Sequence, residues 1–278
     1  MDVDNYRKFN ITSFVLFYMS IVISGIIFFG FMLKNYPNGT LVLVLKIAIL
    51  IYFIYQIKKY RIEFNNVSLK KSMSGIKWAK YVSLSIILKI NFTFIAAISF
   101  TLFVILFPSL FDYFINFLSE QNIEPVSRSA LSLIIPIIST AILTPIWEEL
   151  FFRGIVLRKL TKRFKPITAI LISSLIFAIV HSGFIGIAHA FLMGCMLAYF
   201  YLLKQNIWIP IILHAVINLV AILLSTFDSP NLTDLAMPSR EQLIGELALY
   251  GPITFAITFF LLLIFIRGWK QVKLLVIE

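Results

Sequence analysis

Runs of apolar residues long enough to cross a bilayer recur along almost the whole chain. They lie at about 11 to 33, 40 to 57, 82 to 107, 129 to 152, 167 to 182, 184 to 203, 207 to 226 and 247 to 266. A spanning helix needs roughly 20 mostly apolar residues, so the pattern predicts an all-α integral membrane protein, a bundle of about eight transmembrane helices. No hydrophilic stretch between the runs has room for a separate soluble domain. The expected organisation is a single polytopic domain over 1–278, with core helices at 129–226. The first run is too long for a signal-peptide core and has no small-x-small cleavage site, which makes it a retained first span. Polar stretches at 108–128 and 227–246, the latter with Asp228, Pro230, Asn231 and Pro238, read as the two longest outer loops.

Composition sharpens this picture. The chain is 60% hydrophobic and only 13% charged, which excludes a water-soluble fold. Its net charge of +11 would suit nucleic acid, but the basic residues fall in short segments between apolar runs, without interleaved base-stacking residues. They report topology instead. Lys58, Lys59, Arg61, Lys70, Lys71, Lys77 and Lys80 follow the second run, and Arg158, Lys159, Lys162, Arg163 and Lys165 follow the fourth. The positive-inside rule makes both segments cytoplasmic. With eight spans both termini then face the cytoplasm, and Asp112, Glu120, Glu124, Asp228, Asp234, Glu241 and Glu246 collect outside. A bacterial plasma membrane is the expected location. Cys195, the single cysteine, excludes an internal disulfide and a thiolate metal cluster, and reads as a packing residue.

The residues that oppose insertion carry the chemistry. Glu148, Glu149 and Arg153 lie together in the fourth run, and each central charge costs about 2.5–3.5 kcal/mol on insertion scales. Snorkelling towards the cytoplasmic end would lower that cost. The three histidines also lie in or at the end of apolar runs: His181, His189 and His214, with Asn218 four residues beyond the last. Glu149 and Arg153, four apart, share a helix face and suit a charge-assisted pair. Glu148 points about 100° away and is left free. A carboxylate in a poorly solvating site is the stronger base, which suits a general base for water. His214 and Asn218 share one face, where both could donate to a developing oxyanion. Pro145 and Pro210 can each distort a helix and free backbone groups beside a protein-lined cavity. Lys46 and Lys89, the other in-span charges, read as snorkelling or paired residues without chemistry.

The stretches PIWEELFFRG with Glu148-Glu149-x-x-x-Arg153, FAIVH with Phe177-x-x-x-His181, and LHAVIN with His214-x-x-x-Asn218 resemble, in order and spacing, the three motifs of the CPBP family. That group contains the type II CAAX prenyl endopeptidases and the Abi proteins linked to bacteriocin processing and self-immunity. The resemblance implies an intramembrane endopeptidase in which Glu148 and His181 activate water, Glu149 and Arg153 organise the site, and His214 with Asn218 stabilises the oxyanion. His189 has no counterpart in those motifs and reads as structural. Residues 1 to about 125 carry no family signal.

Glu148, His181 and His214 have the composition of a His₂Glu zinc site with an open water position. They equally have that of groups acting directly as acid and base, so one zinc ion and none both stay open. Substrates consistent with the resemblance are a prenylated tail, a peptide pheromone or bacteriocin precursor, or another membrane protein. The chain lacks the HExxH, Gly-x-Gly-Asp and in-span serine motifs of other proteases acting in membranes. A proton- or ion-coupled transporter would also use in-span carboxylates and histidines, but no inverted repeat is present. A non-catalytic membrane partner or immunity protein would keep the same residues as structure alone.

Overall fold

The computed structural model describes residues 5–32, 38–62, 75–110, 130–181, 184–227 and 240–277. Each predicted run overlaps one helix among the described residues, with ends that differ by a few residues: α1 (Ile11–Met32), α2 (Asn38–Tyr60), α3 (Gly75–Leu106), a composite α4 over 130–161, α5 (Pro166–Ile179), α6 (Phe184–Lys204), α7 (Trp208–Phe227) and α8 (Arg240–Ile277). By length and composition alone, the described stretches Leu133–Thr161, Gly186–Lys204 and Glu241–Gly268 suffice to cross a membrane. Ile11–Gly25, Pro166–Ile179 and Trp208–Leu224 are shorter apolar helices. The protein is an all-α, multi-pass membrane protein.

Three helices outrun their apolar windows, α4 by continuing through Arg158 and Lys159 to Thr161. Helix α3 begins at Gly75 rather than near 82, and α8 runs from Arg240 to Ile277 rather than over 247–266. Good helix formers such as Glu241, Gln242, Leu243 and Glu246 carry the turns past the hydrocarbon-length core. The expected outer loop at 227–246 is corrected accordingly: Glu241 and Glu246 belong to α8. The rest of that loop at 228–239, and 111–129 of the other, lie outside the described residues, as do Lys70 and Lys71.

Helix α4 is the centre of the molecule. Its residues Trp147, Glu148, Glu149, Phe151 and everything from Phe152 to Val156 are buried, so this stretch is enclosed on most sides, whereas Leu133, Ile134, Ile138 and Ile142 nearer its start are exposed. The N-terminal segment packs on it through rings: Phe14 lies 4.6 Å from Phe151, and Phe9 5.6 Å from Phe53 of α2. Lys159 Nζ donates to the Phe9 carbonyl at 2.7 Å, tying that segment to the end of α4. Helix α8 lies at the opposite extreme. Its Phe255, Phe259, Phe260 and Leu262 are exposed, a surface that bilayer hydrocarbon covers.

Helices α5 and α6 pack closely because of Gly194. A Cβ there would meet Ser174 Cβ at 3.0 Å and Ser174 Cα at 3.1 Å, so any larger residue would push the helices a few tenths of an ångström apart. Small residues at such contacts are how membrane helices gain packing where lipid removes any hydrophobic drive between them.

Candidate active site

Two stretches of π-helix, Ile137–Leu143 and Phe152–Leu157, bracket the α-helical segment Thr144–Phe151 that carries both glutamates. The widened winding at the first has a covalent cause at its end. In a π-helical ladder the carbonyl of residue 140 would accept from the N–H of residue 145, and Pro145 has none. The α-helical alternative, Thr144 N–H, is committed to the Ser139 carbonyl. The Thr140 carbonyl is thereby released, and Asn218 Nδ2 of α7 donates to it at 2.8 Å. Pro145 thus frees a backbone group as expected. Pro210 does not: it sits in the first turn of α7, where its missing N–H has no helical partner to lose.

One turn further along α4 the charges gather. Arg153 Nη1 donates to Glu149 Oε1 at 3.0 Å, and Nε lies 3.0 Å from Oε2, a contact without hydrogen-bond alignment. Arg153 Nη2 donates to the Gly194 carbonyl at 3.1 Å, and its guanidinium lies 4.7 Å from the centre of the Phe177 ring. Arg153 is 1% exposed and Glu149 fully buried. Both charges are therefore out of water, and the pair persists because each finds several partners.

His214 joins the two glutamates. Its Nδ1 lies 2.8 Å from Glu149 Oε1 and its Nε2 lies 3.9 Å from Glu148 Oε2. A carboxylate bonded to arginine accepts only, so Nδ1 carries the hydrogen, and in the neutral ring Nε2 presents a lone pair towards Glu148. Glu148 is buried, yet its Oε2 has no hydrogen-bond partner. Of the two carboxylates, Glu149 is locked and Glu148 is available.

His181 sits in the turn just past α5, with its N–H on the Ala178 carbonyl. Its ring Nδ1 donates to the Phe177 carbonyl at 2.8 Å, which fixes the tautomer and leaves Nε2 as the acceptor. The Phe177 ring lies 4.6 Å from His181 and 6.0 Å from His214, so the Phe-x-x-x-His spacing supplies both an anchor and a packing wedge. Among the described residues, no hydrogen bond or ion pair joins His181 to either glutamate. The six sequence-derived residues thus fall into a linked set, Glu148, Glu149, Arg153 and His214, with His181 attached through Phe177 and Asn218 attached through Thr140. His214 and Asn218 do not converge on one acceptor: the histidine turns to the glutamates and the amide to Thr140.

Lys46 of α2 was expected to be a bystander. Its Nζ donates to Thr140 Oγ1 at 3.2 Å, and its charge lies within electrostatic reach of Glu148. An in-span charge flagged it, but α2 carries no motif that aims it at α4. Lys89 lies apart, 3.5 Å from His189 Nε2, with Phe92 edge-on to that imidazole. His189 is accordingly a partner of α3 rather than of the glutamates.

The described His, Cys, Asp and Glu side chains form no group of three that could hold one metal ion. Glu148 Oε2 and the Nε2 atoms of His214 and His181 keep their lone pairs, with each Nδ1 tied to a protein acceptor, the orientation that a zinc-ligating imidazole takes.

Comparison with known proteins finds the same region. Residues 130–220 match the model of the family described as type II CAAX prenyl endopeptidase Rce1-like. The chain is also 28% identical, over 130 residues, to the protein of Bacillus subtilis (strain 168) named "Putative membrane peptidase YdiL", covering 47% of this chain and 53% of that one. The chain thus spans about half the length of the curated relative it matches. No solved structure matches it.

Proposed function

We propose, from the membership of residues 130–220 in the type II CAAX prenyl endopeptidase Rce1-like family, that the chain is an intramembrane endopeptidase of the CAAX type. It hydrolyses a peptide bond of a membrane-associated substrate, a prenylated tail or a precursor peptide. The observation that carries this is the contrast between the glutamates. Glu149 is held by Arg153 and His214, while buried Glu148 keeps an unbonded oxygen 3.9 Å from His214 Nε2. That oxygen and the Nε2 lone pair can face one water. The peptidase name of the Bacillus relative supports the same class.

In this reading Glu148 removes a proton from the water as its oxygen bonds to the scissile carbonyl carbon. The second hydrogen of that water goes to one imidazole, either His214 Nε2 as it faces Glu148 or His181 Nε2, whose tautomer is set by Phe177. The Glu149–Arg153 pair holds the His214 ring as a second carboxylate holds a catalytic imidazole. Asn218 has a second amide hydrogen beyond the one given to Thr140, and donates it to the carbonyl oxygen as charge develops there. When the tetrahedral carbon collapses, the C–N bond breaks and Glu148 returns its proton to the departing nitrogen. No step is routed through a metal.

The charge distribution supports cytoplasmic termini in a bacterial plasma membrane, with residues 129–226 as the catalytic core of one polytopic domain. The test is comparative peptidomics of cells carrying the wild type or Glu148→Ala. Peptides made by the wild type and absent from the variant are expected, with the variant inserted at normal abundance because it loses an in-membrane charge. Identical peptidomes at equal abundance would remove the peptidase reading.

A further inference from the structure

Arg153 is consumed by Glu149, and His214 turns both nitrogens to the glutamates, so neither is placed to meet negative charge on a substrate oxygen. Earlier along the helix that carries Glu148, two further donors gather, Asn218 and Lys46. Both converge on Thr140, the amide on its carbonyl at 2.8 Å and the ammonium on its hydroxyl at 3.2 Å. Each has donors to spare: a primary amide has two hydrogens and an ammonium three, and one from each goes to Thr140. Thr140 precedes Glu148 by eight residues, two turns of the same helix, and Asn218 follows His214 by one turn. The site therefore has two levels, a base level of Glu148 and His214 and a donor level of Asn218 and Lys46.

We propose that Lys46 is a catalytic residue of this site, its ammonium completing with the Asn218 amide the set of donors that meets the oxyanion. The inference rests on the peptidase reading and extends it to a helix with no family motif. As the water oxygen bonds to the carbonyl carbon, the C=O π pair moves onto oxygen. That oxygen then carries a full negative charge in a site from which water is largely excluded, where a fixed cation acts far more strongly than in bulk water. When the pair returns and the C–N bond breaks, the interaction lapses, so it favours the transition state over the bound substrate. Half-buried Lys46 is hydrogen-bonded by Thr140 rather than by a carboxylate, which leaves its other N–H donors for the oxyanion. Lys46 and Glu148 also feel one another's charge, which supports placing them in one site.

The experiment uses the full chain in liposomes and an internally quenched peptide ending in a farnesylated cysteine and three further residues. Lys46→Met is expected to lower kcat by roughly 100-fold or more, the scale of losing one oxyanion donor, with KM changed less than about threefold. Lys46→Arg keeps the charge and should recover at least a tenth of wild-type kcat. Both variants should insert and melt as the wild type does, since Lys46→Met removes an insertion penalty. A Lys46→Met protein with kcat within about twofold of wild type overturns the proposal, as does a rise in KM alone, or a Lys46→Arg protein as slow as Lys46→Met. Failure of the peptidase reading looks different: the wild type itself leaves the peptide uncut, and the proposal goes with it.

Discussion

Asn218 donates to the Thr140 carbonyl at 2.8 Å, occupying the position that an N–H at residue 145 would take in a π-helical ladder. The asparagine is thereby oriented by a missing hydrogen on another helix. Geometry of this kind is set before any substrate arrives, as electrostatic preorganisation requires.

Pro145→Ala should therefore be stable yet slow. The substitution favours the helix by up to about 3 kcal/mol on propensity alone, but it supplies an N–H that competes with Asn218 for the carbonyl. We expect an unchanged or raised melting temperature and a kcat reduced about tenfold, read in the same peptide assay. Full activity would mean that Asn218 does not need its tether.

Arg153→Ala should cost both abundance and activity. It leaves Glu149, fully buried, without its cation and with His214 Nδ1–H as its remaining donor, and breaking one side of a buried pair costs about 3–5 kcal/mol. Arg153→Lys is expected to rescue little, because an ammonium cannot reach Glu149, the Gly194 carbonyl and the Phe177 face together. Steady-state abundance and melting in detergent decide this. A stable, active Arg153→Ala protein would contradict it.

The Glu149–Arg153 pair was legible in the sequence because helical spacing alone brings residues four apart together. The bridge from His214 to both glutamates was not. Adjacent side chains point about 100° apart, and nothing in one dimension says that an imidazole on another helix lies between them with a nitrogen towards each. Among the described residues, the eight long helices were legible from apolar runs, whereas their ends at Gly75, Arg240 and Ile277 were not. Lys46 was visible as an anomaly but not as a participant, since snorkelling and pairing look identical until α2 is set against α4. The π-helical winding left one trace, Pro145, whose consequence appears only when the ladder is counted.

Gly194→Ala is predicted to destabilise by about 1–3 kcal/mol. Its Cβ would press on the Cβ and Cα of Ser174 at 3.0 and 3.1 Å, and a helix backbone gives way less readily than a side-chain tip. The same shift would move the Gly194 carbonyl from Arg153, so activity should fall as well. Adding Ser174→Gly removes two of the three crowding atoms, Cβ and Oγ, and should restore part of the stability. A double-mutant cycle with no coupling would place the strain elsewhere.

Reporters fused after Lys71 and Lys162 should be cytoplasmic, and those near Asn122 and Asp234 external. The first and the last two sites fall outside the described residues, so this test reads the charge pattern independently of the helices. Reversal at any one of the four would mean a miscounted span.

Lys46 has a consequence for what counts as a transplantable unit. A chain trimmed to 130–220 would retain every recognised motif and lose α2, together with the ammonium that α2 delivers to Thr140. Chimeras that swap the first hundred residues between relatives should then vary in turnover while leaving all six motif residues untouched. Such exchanges would make the unmatched half of the molecule a dial on the rate.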